Sequence, residues 1–99
     1  MGRIQGLTEK YLTGDTLLKS GQGYVFHANL AWVGGVAGNY VVFRDGTDGN
    51  GTPKFVMVFD GTNGTIPVNI PNGTEFVDGI YVDVQAAAGA GIHLTVQFK

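Results

Sequence analysis

At 99 residues the chain is long enough for one domain and too short for two. With no cysteine and two histidines it excludes a disulfide framework and a four-ligand structural zinc site, and a net charge of −2 argues against nucleic-acid binding by phosphate neutralisation. Charged residues are only 14% of the chain, well under the roughly 25% usual for soluble domains, so there is little charge with which to cover a surface.

The segment 1–14 comes first. Ile4, Leu7, Tyr11 and Leu12 are apolar there but follow no period, so it reads as an N-terminal arm ahead of a domain over 15–99. The start Met1-Gly2-Arg3-Ile4-Gln5-Gly6 lacks the apolar run of ~7–15 residues of an export signal, which predicts synthesis as a soluble cytoplasmic protein. No stretch approaches the ~20 apolar residues of a membrane-spanning helix, so no membrane partner is expected.

From residue 15 onward the dominant period is two. Tyr24, Phe26, Ala28, Leu30 and Trp32 alternate with Val25, His27, Asn29, Ala31 and Val33. The same alternation continues through Val41 and Phe43, then Phe55, Met57 and Phe59, then Ile80, Val82 and Val84, and finally Ile92, Leu94, Val96 and Phe98. Alternation sends one set of side chains to a core and the other outward, and β-branched and aromatic residues suit such pleated surfaces. Strands are therefore predicted over 15–20, 23–33, 39–45, 54–60, 64–70, 77–85 and 91–98. Asn-Gly and Asp-Gly pairs such as Asp45-Gly46, Asn50-Gly51, Asn63-Gly64, Asn72-Gly73 and Asp78-Gly79 fall between or beside these runs, where hairpin turns want positive φ angles. Turns at that spacing predict an all-β, antiparallel, jelly-roll-like β-sandwich of six to eight strands with negligible helix. Its core is expected to hold Phe26, Leu30, Phe43, Phe59, Ile80, Val82, Leu94 and Val96.

Candidate chemistry is sparse. The loop from Asp45 to Thr52 is rich in oxygen ligands, but its spacing fits no EF-hand, so a solvated hairpin is expected and no metal or other cofactor. His27 and His93 stand alone on strands. The single serine, Ser20, sits in no nucleophile elbow, so an enzyme is not expected. Three Asn-Gly-Thr triplets (50–52, 63–65, 72–74) match glycosylation acceptors, but without an export signal they read as turns. Trp32, Tyr40, Tyr24 and Tyr81 could form a sugar-stacking platform, which keeps a glycan-binding module as the alternative function.

The more informative feature is the second face of each strand. Val25, Ala31 and Val33, Val56 and Val58, then Val77 and Tyr81 occupy positions where a solvated face carries charged or hydroxylic residues. The chain is too short to cover this face with another layer, so the cover is expected from other chains. That points to Val25, Val33, Val56, Val58 and Tyr81 as interface residues and to an oligomer or a docked subunit.

Three stretches, together with a fourth at the end of the chain, give a family resemblance. They are Thr13-Gly14-Asp15-Thr16-Leu17-Leu18-Lys19-Ser20-Gly21-Gln22-Gly23, Val42-Phe43-Arg44-Asp45-Gly46-Thr47 and Asp78-Gly79-Ile80-Tyr81-Val82-Asp83-Val84, followed by Ile92-His93-Leu94-Thr95-Val96-Gln97-Phe98. In order and texture the chain resembles, over about residues 13–98, the small β-sandwich capsid decoration (cement) proteins of tailed bacteriophages. The resemblance implies a structural virion protein on the capsid surface, without catalytic residues. It would bind the major capsid protein, stabilise contacts between capsid subunits and self-associate, most often as a trimer. The arm, which the resemblance does not cover, is expected to contact the capsid or a neighbouring subunit through Ile4, Leu7, Tyr11 and Leu12.

Overall fold

A computed structural model describes residues 6–99. Among them eight strands form and no helix: β1 (Thr8–Leu12), β2 (Thr16–Ser20), β3 (Gly23–Val33), β4 (Tyr40–Asp45), β5 (Thr52–Val58), β6 (Gly64–Phe76), β7 (Gly79–Gln85) and β8 (Gly91–Phe98). They make two four-stranded antiparallel sheets, sheet A in the order β1-β8-β3-β6 and sheet B in the order β2-β7-β4-β5.

The pairings β1·β8, β2·β7, β3·β6 and β4·β5 are those of one long hairpin whose tip is the β4–β5 turn. Successive pairs alternate between the sheets, and β8·β3 and β7·β4 then join them edge to edge. This is the jelly-roll arrangement the alternation predicted. One core lies between the sheets, where Leu30, Trp32, Leu94 and Val96 of sheet A meet Phe43, Met57, Ile80 and Val82 of sheet B, with Phe59 just beyond β5. Trp32 stacks on Phe59 at 4.3 Å and donates its indole N–H to the Gly61 carbonyl at 3.0 Å, so the one tryptophan is core and its polar atom is satisfied.

The structure corrects the expected phase of β3. Alternation predicts Phe26 in the core and Val25 at an interface, yet Val25 is fully buried in the core and Phe26 is half-buried on the outside. The cause is a β-bulge. Val25 pairs with Phe98 and His27 with Gln97, so Phe26 is one residue too many and reverses the alternation from that point. On its other side β3 pairs Val25 with Thr74 and His27 with Asn69, which leaves residues 70–73 of β6 without partners. The Asn72-Gly73 pair read as a hairpin turn is thus a bulge inside β6. Gly73 is needed there both for its φ of 79° and because a Cβ would come within 2.9 Å of the Phe26 ring. Not all the Gly-containing pairs supply positive φ. Gly64 is extended, and its requirement is space: a Cβ would lie 2.5 Å from the Trp32 ring.

Most of the segment read as an arm is likewise part of the sandwich. Thr8–Leu12 pairs with β8 as the outer strand of sheet A, and Leu7 and Leu12 are buried in this chain's own fold, so neither is available to a capsid. The absence of a period has a physical reason. An edge strand whose first four side chains are exposed needs no apolar alternation. Ile4 lies outside the described residues.

Candidate functional site

Strand alternation and register give sheet B an outer face with its own composition. On β4, Val41 and Phe43 belong to the core, so Tyr40, Val42 and Arg44 point outward. Their neighbours across the sheet are Val58, Val56 and Pro53 on β5, and Gln85, Asp83 and Tyr81 on β7. Leu17 of β2 lies opposite Tyr81 and completes the row. Leu17, Tyr40, Val56 and Val58 are exposed, and Tyr81 is half-buried. Val42, at the centre, is buried although it faces away from the core.

Within this apolar field sits one ion pair. Arg44 Nε donates to Asp83 Oδ2 at 2.9 Å, with side-chain exposures of 18% and 7%. Arg44 Nη1 donates to the Gly51 carbonyl at 3.1 Å, and Gln85 Nε2 donates to Asp83 Oδ1 at 2.7 Å, so both carboxylate oxygens are held. The guanidinium is therefore fixed, with N–H groups to spare at the surface for a partner's acceptor. Burial of the Tyr81 ring, reinforced by the carboxylates of Asp15, Asp83 and Asp48, raises its phenol pKa and keeps it a protonated donor.

Of the predicted interface residues, the structure brings Val56, Val58 and Tyr81 together on this face. It separates Val25, which is core, and Val33, which ends β3 on the outer face of sheet A. Leu17, Tyr40 and Val42 were not singled out as interface residues, because only cross-strand register places them beside Val56 and Tyr81. Tyr11 is exposed on the outer face of sheet A, where its hydroxyl bonds His93 Nδ1 at 2.6 Å. The four aromatics of the sugar-platform reading do not converge. Trp32 is core, Tyr24 is on the outer side of β3, and Tyr40 and Tyr81 sit at opposite ends of sheet B's face.

The Asp45–Thr52 loop spends its carboxylates on backbone. Asp45 accepts from the Val77 and Asp78 N–H groups at 3.0 and 2.7 Å, and Asp48 accepts from Asn50 N–H at 2.9 Å. The bonds from Val77 and Asp78 hold the Asp45 carboxyl below the usual range. Among the described residues no three His, Cys, Asp or Glu side chains converge as a metal site would need.

No protein-family model matches the chain, and no curated protein matches it either. Among solved structures, one similar to it is from Bacillus endospore appendages, described as a family of disulfide-linked pili. The TM-score is 0.42 at 10% identity, over 93% of this chain and 86% of the other.

Proposed function

We propose that the protein is a structural virion component, a capsid decoration subunit that docks on the outside of a phage shell and works as a homo-oligomer. The observation that carries this reading is the outer face of sheet B, where Leu17, Tyr40, Val56, Val58 and Tyr81 surround a fixed Arg44–Asp83 pair. Apolar rows of this kind around a held arginine have the composition of an interface centre, which is poor in free charge and rich in aromatic residues and arginine.

In this reading the major capsid protein covers the face, and the benefit is thermodynamic. A subunit that binds the assembled shell and not its dissociated parts stabilises the assembly by mass action, and many copies add up. No bond is made or broken, so the work falls to the exposed apolar side chains of the face. The family resemblance names the shell as the partner, and the face supplies the means of attachment.

The test is co-sedimentation of the purified protein with shells of the corresponding virus assembled without it. Saturable binding in a fixed ratio to the capsid protein is the expected result. Failure to bind shells at any concentration, together with specific binding to a glycan, would replace this reading with the lectin alternative.

A further inference from the structure

The four edges of the two sheets are not equally protected. A sheet edge presents unpaired N–H and C=O groups that invite another strand, and proteins blunt it with prolines, charges, bulges or short length. Edge β6 carries Pro67 and Pro71 and the unpaired stretch 70–73. Edge β1 has five residues with Glu9 and Lys10 among them, and edge β2 has five residues and a bulge between Leu17 and Lys19. Edge β5 has its protection at one end only. Pro53 and the irregularity at Lys54 are followed by Phe55, Val56, Met57 and Val58, a regular run without charge, proline or bulge.

From this difference we infer that β5 is a self-association edge, pairing antiparallel with β5 of a second copy to make one continuous eight-stranded sheet from the two B sheets. The inference rests on the oligomeric part of the function proposed above and is independent of the shell.

Three observations fix the occupant and the register. First, Phe59 N–H donates to the Asn39 carbonyl at 2.7 Å, so by alternation Met57 and Phe55 also turn their peptide groups toward β4. The peptide groups of Val56 and Val58 are left facing outward from the edge. Second, side chains directly opposite each other in a sheet share a face, so an outward valine must meet an outward residue. Pairing Met57 with the partner's Met57 sets Val56 opposite the partner's Val58, twice by symmetry, with both peptide groups in position to bond. Third, the same register brings exposed Lys54 toward the partner's exposed Asp60, again twice. A second copy thus satisfies the backbone, the valines and the charges together. Such a contact is isologous and closes at two chains, unlike the trimer the resemblance implies.

The pairing also joins the two docking faces, since Val56 and Val58 lie on the outer face of sheet B beside Val42 and Tyr40. The assembled pair would present one extended apolar surface to the shell, with the β5–β5 seam across its middle.

The experiment is sedimentation of the full chain over a concentration series, for the wild type and three variants. The wild type is expected to reach twice its monomer mass. Val56→Pro removes an N–H that points away from β4, so it should leave a folded monomer. Lys54→Glu sets like charges together at both symmetric contacts and should weaken pairing roughly tenfold, and adding Asp60→Lys should restore it. The lysine–aspartate exchange keeps the test open if Val56→Pro fails to fold. Register is read by cross-linking, for which the absence of native cysteine is convenient. Val56→Cys and Val58→Cys chains should form a disulfide when mixed and oxidised, and neither should do so alone. A wild type that stays monomeric, or a dimer untouched by both Val56→Pro and Lys54→Glu, would overturn the pairing without bearing on shell docking. Cross-linking of Val56→Cys to itself would overturn the register.

Discussion

The outer faces of the two sheets are built on the same alternation, yet they end in different chemistry. On sheet A the outward positions mix polar side chains (Glu9 on β1, His93, Thr95 and Gln97 on β8, Asn29 on β3, Thr65 and Asn69 on β6) with Tyr11, Tyr24, Phe26, Ala31, Val33 and Pro67, and they carry exposed side-chain bonds such as Gln97 Nε2 to Glu9 Oε1 at 3.1 Å. Its centre and β8 are largely polar, as a solvated face is, and its apolar side chains lie chiefly along β3. On sheet B the corresponding positions are Leu17, Tyr81, Tyr40, Val42, Val56 and Val58, together with Arg44, Asp83 and Gln85, whose side chains are bonded to one another. Both faces cover the same core, so core packing does not explain the difference. The proposed docking of sheet B against another protein would account for it.

The shared core sets the scale against which the faces are compared. Phe59 is buried and stacks on Trp32, so Phe59→Ala should cost about 3–5 kcal/mol in denaturant unfolding and damage both faces alike. A loss below ~0.5 kcal/mol would place Phe59 outside the core.

The faces themselves separate at the next level. Asp83→Ala strands the Arg44 guanidinium, whose side chain is only 18% exposed, and should cost about 2–4 kcal/mol. Its counterpart on sheet A, Glu9→Ala, gives up one exposed bond to Gln97 and should stay within about 0.5 kcal/mol. Equal costs would mean that the Arg44–Asp83 pair is no better shielded than the exposed Glu9–Gln97 bond.

Legibility in the sequence followed the same division. Alternation was sufficient wherever a strand kept its phase, and Phe43, Ile80, Val82, Leu94 and Val96 are core as their runs predicted. It misplaced Phe26 and Val25, because one inserted residue inverts every position on one side of it and leaves no mark in composition. It missed β1, whose exposed edge needs no pattern. For the outer face of sheet B it found Val56, Val58 and Tyr81 as apolar residues in polar positions. Leu17, Tyr40 and the Arg44–Asp83 pair join them only through register, which pairs residues far apart in the chain.

The smallest effect concerns the crossing between the sheets and should leave the face comparison intact. Asp45 bonds the N–H groups of Val77 and Asp78, where the chain passes from β6 in sheet A to β7 in sheet B. Its carboxyl is depressed in the folded state chiefly by those two bonds, so the folded form binds this proton more weakly than the unfolded form. The stabilisation is therefore complete above the ordinary aspartate value near ~3.9 and is lost as pH falls through the lower folded value. Because the group is partly exposed, Asp45→Asn should cost about 1 kcal/mol or less at neutral pH, shrinking toward zero in strong acid. Urea midpoints of the wild type and Asp45→Asn should converge as the pH is lowered, and a gap that stays constant would assign the cost to something other than the carboxylate.

The most direct test of the proposed docking through sheet B is shell occupancy for one charged substitution on each face. Leu17→Glu alters the sheet B face on β2, at the opposite edge of the sheet from β5, and Thr65→Glu places the same charge on the exposed outer side of sheet A. Occupancy should fall at least about tenfold for Leu17→Glu and stay at the wild-type level for Thr65→Glu, since a carboxylate pushed into an interface centre must be desolvated without a partner. Equal occupancy for the two, or a loss confined to Thr65→Glu, would contradict docking through sheet B.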